Sequence, residues 1–270
     1  MSATRKIMLI TGASSGIGAD FARFSAARGH DLGLVARNGA ALEALADALA
    51  ALPGQKNPRP LVFVRDLAQP GAVGALVAEV AAAGAMPEIL VNNAGYGVLG
   101  PASEGDVAEQ LGMIDLNIRA LTELSLVFAP KLIAAKGRLL NVASIAAFMP
   151  GPGMAIYYAS KAYVLSFSEA LSAELAPKGV SVTALCPGPV PTGFQKRARF
   201  SEKMNLMFRA ALSSTEVAKI AYHGMMAGKR VVIPGLASKL MVWSVPFTPK
   251  PAVLATVASL QLRRWEKEGA

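Results

Sequence analysis

Short apolar runs alternate along this chain with longer stretches in which apolar residues recur every three or four positions. Residues 6–11 (KIMLIT), 31–36 (DLGLVA), 61–64 (LVFV), 89–91 (ILV), 137–144 (GRLLNVAS) and 180–186 (VSVTALC) predict buried strands. Most are rich in Val, Ile and Leu, and Gly, Pro, Asn or Asp residues bound them. Between them, Phe21, Phe24 and Ala27, then Leu42, Leu45, Leu49 and Leu52, then Val73, Leu76, Val77 and Val80 mark helices with one apolar face. A long helical stretch is expected over 107–135, bent near Pro130, and another from Tyr157 to about Leu175. Strands alternating with helices imply right-handed βαβ units and a parallel sheet covered on both faces. The fold class is therefore α/β: a doubly wound, Rossmann-like, three-layer αβα sandwich. No repeat or composition break appears before about residue 235. Residues 1–235 read as one domain and 236–270 as a C-terminal helical extension.

Composition narrows the classes. With 53% hydrophobic and 17% charged residues, the chain folds around a sizeable core. The single Cys186 excludes a disulfide framework and a cysteine metal site; it reads as a small buried apolar residue in a reducing, cytoplasmic setting. His30 and His223 fit no metal-ligand spacing, so no metal is expected. The net charge of +9 comes without a basic stripe interleaved with aromatics, which argues against nucleic acid and for anionic small molecules or acidic carriers. The basic start is followed by a short apolar run only, residues 7–10, which does not make a signal peptide. The uncharged stretch 139–160 is broken by Pro150, Gly151, Pro152 and Gly153 and is not a membrane span.

Candidate chemistry begins with Tyr157 and Lys161, four residues apart and hence on one helix face. A phenol of pKa about 10 serves proton transfer near neutrality only with a cation beside it. In isolation such a pair would be a solvated helix face. Gly12, Gly16 and Gly18 lie where the first strand meets the first helix, in the spacing G-x3-G-x-G. Glycines there permit a tight turn and close approach of backbone to a pyrophosphate. At the end of the second strand, where a carboxylate would hold the ribose 2′-hydroxyl of NAD, the chain has Ala36-Arg37-Asn38, with no acid until Glu43. Arg37, helped by Ser14 or Ser15, suits a 2′-phosphate, so NADP(H) is expected over NAD(H). Such a charge-assisted bond contributes about 1.5–3 kcal/mol.

Over about residues 5–235 the motifs resemble the short-chain dehydrogenases/reductases. Thr11-Gly12-Ala13-Ser14-Ser15-Gly16-Ile17-Gly18 looks like that family's cofactor loop, and Asp66 and Leu67 fall where it contacts adenine. Asn92-Asn93-Ala94-Gly95 resembles its fourth-strand motif, and Pro187-Gly188-Pro189-Val190-Pro191-Thr192 the segment that holds the nicotinamide carboxamide. Asn117, Ser144, Tyr157 and Lys161 fall on its catalytic tetrad. The resemblance implies hydride transfer between a nicotinamide and a carbonyl, with Tyr157 as acid/base and Ser144 placing the oxygen. Lys161 would lower the Tyr157 pKa and hold ribose hydroxyls, and Asn117 would support a water-linked path to Lys161. Tyr158 lacks the four-residue spacing and reads as packing.

Two segments are expected to shape the substrate side: the loop 148–156 (FMPGPGMAI) and a lid over 189–209. The lid interleaves Phe194, Phe200, Met204, Leu206, Met207 and Phe208 with Lys196, Arg197, Arg199, Lys203 and Arg209. That pattern suits a hydrophobic carbonyl compound on an acidic carrier, or an amphipathic helix with a solvated face; the second is favoured. In the extension, Val253, Leu254, Val257 and Leu260 precede Arg263, Arg264 and Lys267. Docking on the domain or on a second subunit is favoured over a membrane surface. The expected protein is an NADPH-dependent carbonyl reductase, or the reverse alcohol dehydrogenase, working as a homodimer or homotetramer. The alternatives are a cofactor-sensing binding protein, whose expected sign would be loss of the Tyr or Lys, and a membrane-surface acyl or lipid ketoreductase.

Overall fold

The computed structural model describes residues 4–52, 54, 57–194, 198 and 211–268. Among these, β1 (Arg5–Thr11), β2 (Leu32–Ala36), β3 (Leu61–Val64), β4 (Ala85–Asn92), β5 (Arg138–Val142), β6 (Ser181–Leu185) and β7 (Val231–Val232) form one parallel sheet. Its strand order is β3-β2-β1-β4-β5-β6-β7. β1 shows why the sheet is covered on both sides. Met8 and Ile10 enter one core with Phe21 of α1 (Gly16–Ala26), Leu42 of α2 (Gly39–Ala50) and Val217 of α7 (Ser214–Met226). Ile7 and Leu9 enter the other with Val73 of α3 (Ala72–Ala82), Phe128 of α5 (Leu121–Ala135) and Leu171 of α6 (Ala155–Leu175). The strand order reverses between β1 and β4, which opens a crevice at their carboxyl ends.

Local signals set several boundaries. The Asn38 side chain caps α2 by accepting from the Ala41 N–H at 3.0 Å, and Ser213 with Glu216 forms a capping box on α7. β4 extends four residues upstream of its expected start, through Pro87, where its register against β1 shifts between Ile7 and Met8. A proline, lacking an N–H, is tolerated in a strand at such an irregularity. β7, two residues long, was not foreseen.

The helical stretch α4 (Val107–Ile114) through α5 departs from expectation. Its irregularity is a π-helical turn at Asp115–Ala120, while Pro130 lies inside α5. Pro130 is on the exposed face, where the carbonyl it frees meets water. The sheet centre carries a buried polar chain: Asn92 Nδ2 donates to Asn141 Oδ1 (2.9 Å) and Ser125 Oγ (3.0 Å), and Asn141 Nδ2 to Ser168 Oγ (2.9 Å). Asn92 and Asn141 stand opposite each other in the β4–β5 register.

The C-terminal extension forms α8 (Leu236–Ser244), a 3₁₀ turn (Val245–Phe247) and α9 (Lys250–Glu268). α9 folds back on its own chain. Trp265 Nε1 donates to Glu104 Oε2 at 3.3 Å, and the Trp265 ring lies 3.0 Å from where a Cβ on Gly100 would stand. Of the two favoured placements, docking on the same chain is what the fold presents. No helix among the described residues is long and apolar enough to cross a membrane. Lid positions Lys196, Arg197, Arg199, Phe200, Lys203, Met204, Leu206, Met207, Phe208 and Arg209, and the side chains of Arg263, Arg264 and Lys267, lie outside the described residues.

Candidate active site

The crevice at the carboxyl ends of β1 and β4 opens into a cavity of about 540 Å³, within the range of small-molecule sites. On the side of the β1–α1 loop the wall is largely main chain. Gly12 and Gly16 hold left-handed φ values of +65° and +54°. A Cβ on Gly12 would stand 2.7 Å from Asn93 Nδ2 and 2.9 Å from Ala94 Cα. Asn93 latches the turn: its Nδ2 donates to the carbonyls of Thr11 (2.9 Å) and Gly12 (3.2 Å). Thr11 Oγ1 accepts from the N–H groups of Asn93 and Ala94, both at 3.0 Å. The loop after β4 is thus clamped to the loop after β1.

This cradle suits an anion. Ser15 is the N-cap of α1 but its side chain makes no cap bond, and no acid lies in the first turn. The first N–H groups of α1, the positive end of the helix dipole, are therefore left without a side-chain partner. Arg37 is exposed at the end of β2, lines the cavity, and pairs with no described acid. Ser14, Ser15, Ile17, Asp66, Leu67, Ala94 and Gly95 share the same wall, and Pro187, Gly188, Val190 and Thr192 face them from the β6 side. Gly18 does not reach the cavity. A Cβ there would lie 2.4 Å from the Gly12 carbonyl and from Asn93 Nδ2, so it makes room for the latch instead.

Ser144, Tyr157 and Lys161 meet at the other end. Ser144 follows β5 and caps a 3₁₀ turn (Ile145–Phe148). Its Oγ accepts from the Ala146 N–H at 3.1 Å, and beside its hydrogen bond with Tyr157 it has a long contact, 3.5 Å, to the Pro187 carbonyl. Lys161 is 5% exposed and donates through Nζ to the Val142 carbonyl at 2.8 Å. Burial pulls its pKa down to about 8. Burial also pushes the Tyr157 phenol up to about 12, against a hydrogen bond with Ser144 that pulls it down. Desolvation is the larger influence on Tyr157, and Lys161 Nζ lies 5.8 Å from its ring centre, directed at the Val142 carbonyl. Tyr157 is protonated at neutral pH, the state an acid needs in order to give a proton away.

Asn117 does not line the cavity either. The π-helical turn carries it inward to 1% exposure, where Nδ2 donates to the Tyr96 carbonyl (2.9 Å) and to Ser160 Oγ (3.1 Å), and Oδ1 accepts from the Tyr96 N–H (3.1 Å). Ser160 Oγ in turn donates to the Tyr157 carbonyl at 2.7 Å. Asn117 therefore ties the loop after β4 to the helix turn bearing Tyr157. Its Oδ1 and Lys161 Nζ lie 3.0 and 3.4 Å from where a Cβ on Gly95 would stand.

Four cavity residues come from the extension: Met241, Val257, Leu260 and Gln261. Tyr158, read as packing, also lines the cavity. Its ring lies against Gly151, and its Oη accepts from Gln261 Nε2 at 3.2 Å. The Phe194 ring lies tilted beside that of Tyr157, with the centres 5.4 Å apart. Nothing local in the sequence marks Gln261, since its partner is more than a hundred residues away.

A family model for short chain dehydrogenases matches residues 6–203. The chain is 37% identical over 191 residues to sulfoacetaldehyde reductase 2 of Chromohalobacter salexigens, covering 70% of this chain and 74% of that one. It spans 60% of the length of another curated relative that it matches. Its fold is similar to a short-chain dehydrogenase from Sphingobium yanoikuyae in complex with NADPH (33% identity, 90% and 93% of the two chains, TM-score 0.78). It is also similar to a short-chain dehydrogenase/reductase from Burkholderia phymatum in complex with NAD (27% identity, 90% and 93%, TM-score 0.79).

Proposed function

This chain belongs to the short-chain dehydrogenase/reductase family of oxidoreductases, and on that premise we propose that it is an NADPH-dependent reductase of apolar ketones or aldehydes. The observation that carries this reading is the convergence of Tyr157, Ser144 and Lys161 on the cavity beside the glycine turn. The reverse reaction, alcohol oxidation, uses the same groups.

The cradle fits a nicotinamide dinucleotide: the glycine turn and the start of α1 would hold its pyrophosphate, and Asp66 and Leu67 would hold its adenine end. Arg37 with Ser14 or Ser15 would take a 2′-phosphate, which favours NADPH, and the Pro187 to Thr192 segment would hold the carboxamide. When bound, the cofactor supplies the hydride. Tyr157 gives its proton to the substrate oxygen. Ser144, whose oxygen already accepts from Ala146, turns its O–H toward that same oxygen and positions it. Lys161, an ammonium below about pH 8, holds ribose hydroxyls and charge-balances the phenolate that Tyr157 leaves behind. A water linking Asn117 to Lys161 would return a proton to the pair.

The substrate side favours an apolar carbonyl compound, because Met154, Phe194, Met241, Val257 and Leu260 wall it. Residues 1–235 form the catalytic unit and 236–270 complete its wall. A second copy would cover the exposed apolar stripe Val107 (69%), Leu111 (53%) and Ile114 (38%) on α4, with Leu126 and Val127 of α5. A panel of ketones and β-ketoacyl thioesters, run with NADPH and with NADH, tests the reading. Consumption of NADPH with apolar ketones is expected. Tight cofactor binding with no turnover across the panel would replace the enzyme by a cofactor-sensing protein.

A further inference from the structure

The extension docks one of its faces and leaves another bare. On α8 and the following turn, Leu236 (73% exposed), Leu240 (58%), Trp243 (71%) and Phe247 (73%) fall at successive spacings of four, three and four, one stripe along a helix. The Trp243 and Phe247 rings lie 5.3 Å apart. This stripe runs into the cavity rim: Met241 and Leu260 both line the cavity and are 43% and 48% exposed. Lys239 and Lys250 are exposed beside it, and residues 217–265 contain no Asp or Glu.

We propose that this face seats on an anionic lipid surface, with the cavity mouth opening toward the acyl chains. Apolar side chains that include aromatic rings, bordered by lysines without acids, match the boundary between headgroups and acyl chains. A second copy of the chain fits worse. Around a twofold axis this face would meet itself, gathering Lys239 and Lys250 of both copies at one seam with no carboxylate from the segment to pair them. A folded partner over Met241 and Leu260 would also stopper the cavity, whereas fluid lipid leaves it accessible. Only delivery of an apolar substrate through that mouth rests on the reductase reading; the seating does not.

The test is co-sedimentation of the full chain with phosphatidylcholine vesicles, with and without phosphatidylglycerol. Binding to the anionic vesicles, weakened by salt, is expected, with little binding to neutral ones. The double substitution Trp243→Ser with Phe247→Ser should weaken it about tenfold or more, and Lys239→Gln or Lys250→Gln about fivefold each. All four side chains are exposed, so the thermal transition should stay put, which separates lost seating from lost fold. Three results would overturn the proposal: no vesicle binding, equal binding to both vesicle types, or an unweakened double variant. A fall in oligomer mass in that variant, without vesicle binding by the parent, would assign the face to a second copy instead. The assay needs neither cofactor nor substrate, so its failure and that of the reductase reading are distinguishable.

Discussion

At one end of the cavity, the Asn93 amide and the Thr11 hydroxyl bind the main chain of the two loops around Gly12, with bonds near 3.0 Å and no room for one added carbon. At the other end, Tyr158 and Gln261 meet through the tips of two side chains, and Met241 and Leu260 stand half in solvent. The first end is built by backbone geometry, which has few solutions; the second is built by side chains on a helix that arrives from the far end of the chain. On the reading proposed above, such a site would keep its cofactor chemistry while its substrate wall is redrawn.

Substitutions can break that contrast, and the largest effect is expected where the two ends meet. Tyr157→Phe should lower kcat about 10²- to 10⁴-fold, the usual contribution of a positioned acid, with NADPH affinity unchanged by equilibrium titration. Arg37→Ala should cut the preference for NADPH over NADH about ten- to a hundred-fold, read as the ratio of kcat/KM values. Gly12→Ala forces a left-handed residue against Asn93 and Ala94; about 1–3 kcal/mol of stability should go, with NADPH affinity falling in parallel.

The smallest effects belong to the adjustable end. Gln261→Leu should change KM for bulky ketones by a few fold at constant NADPH affinity, since one altered contact in an apolar pocket amounts to about 1–3 kcal/mol at most. A fall in NADPH affinity instead would mean the two ends are mechanically one. The pH profile gives a final check. Lys161 loses its proton near pH 8, so reduction should fade above that value. Folding lowers this pKa from 10.5, so between pH 8 and 10.5 the unfolded chain holds the extra proton and the residue's contribution to stability rises with pH. Activity falling while this contribution grows would separate catalysis from unfolding.

The same contrast explains what could be read from the amino-acid sequence. Strand β1, the glycine turn and the placement of Arg37 follow local rules: apolar runs, a glycine forced by positive φ, a charged residue at a strand end. Tyr158 packs as its spacing suggests, with its ring on Gly151, but its bond to Gln261 is hidden, since no local spacing encodes a partner so distant. The π-helical turn around Asn117 has no local mark for a related reason. Its extra residue is held by hydrogen bonds to Tyr96 and Ser160 rather than by any helix-breaking residue, whereas Pro130, the visible breaker, sits harmlessly on the solvent side. Strand β7, at two residues, is too short to show a period.

The paired amides of Asn92 and Asn141 also bear on how the sheet is assembled. They are in register across β4 and β5. The Asn92 amide N–H groups donate to the Asn141 side chain, to Ser125 and, at 3.4 Å, to the Leu121 carbonyl, and the Asn141 amide donates to Ser168. If β5 annealed to β4 one residue out of step, both amides would be stranded in apolar surroundings, at about 1–3 kcal/mol for each unpaired group. The Leu and Val neighbours on these strands would tolerate many alignments; the two asparagines tolerate one. They act as a checksum on strand alignment, penalising a sheet whose active-site loops would hang from misplaced ends.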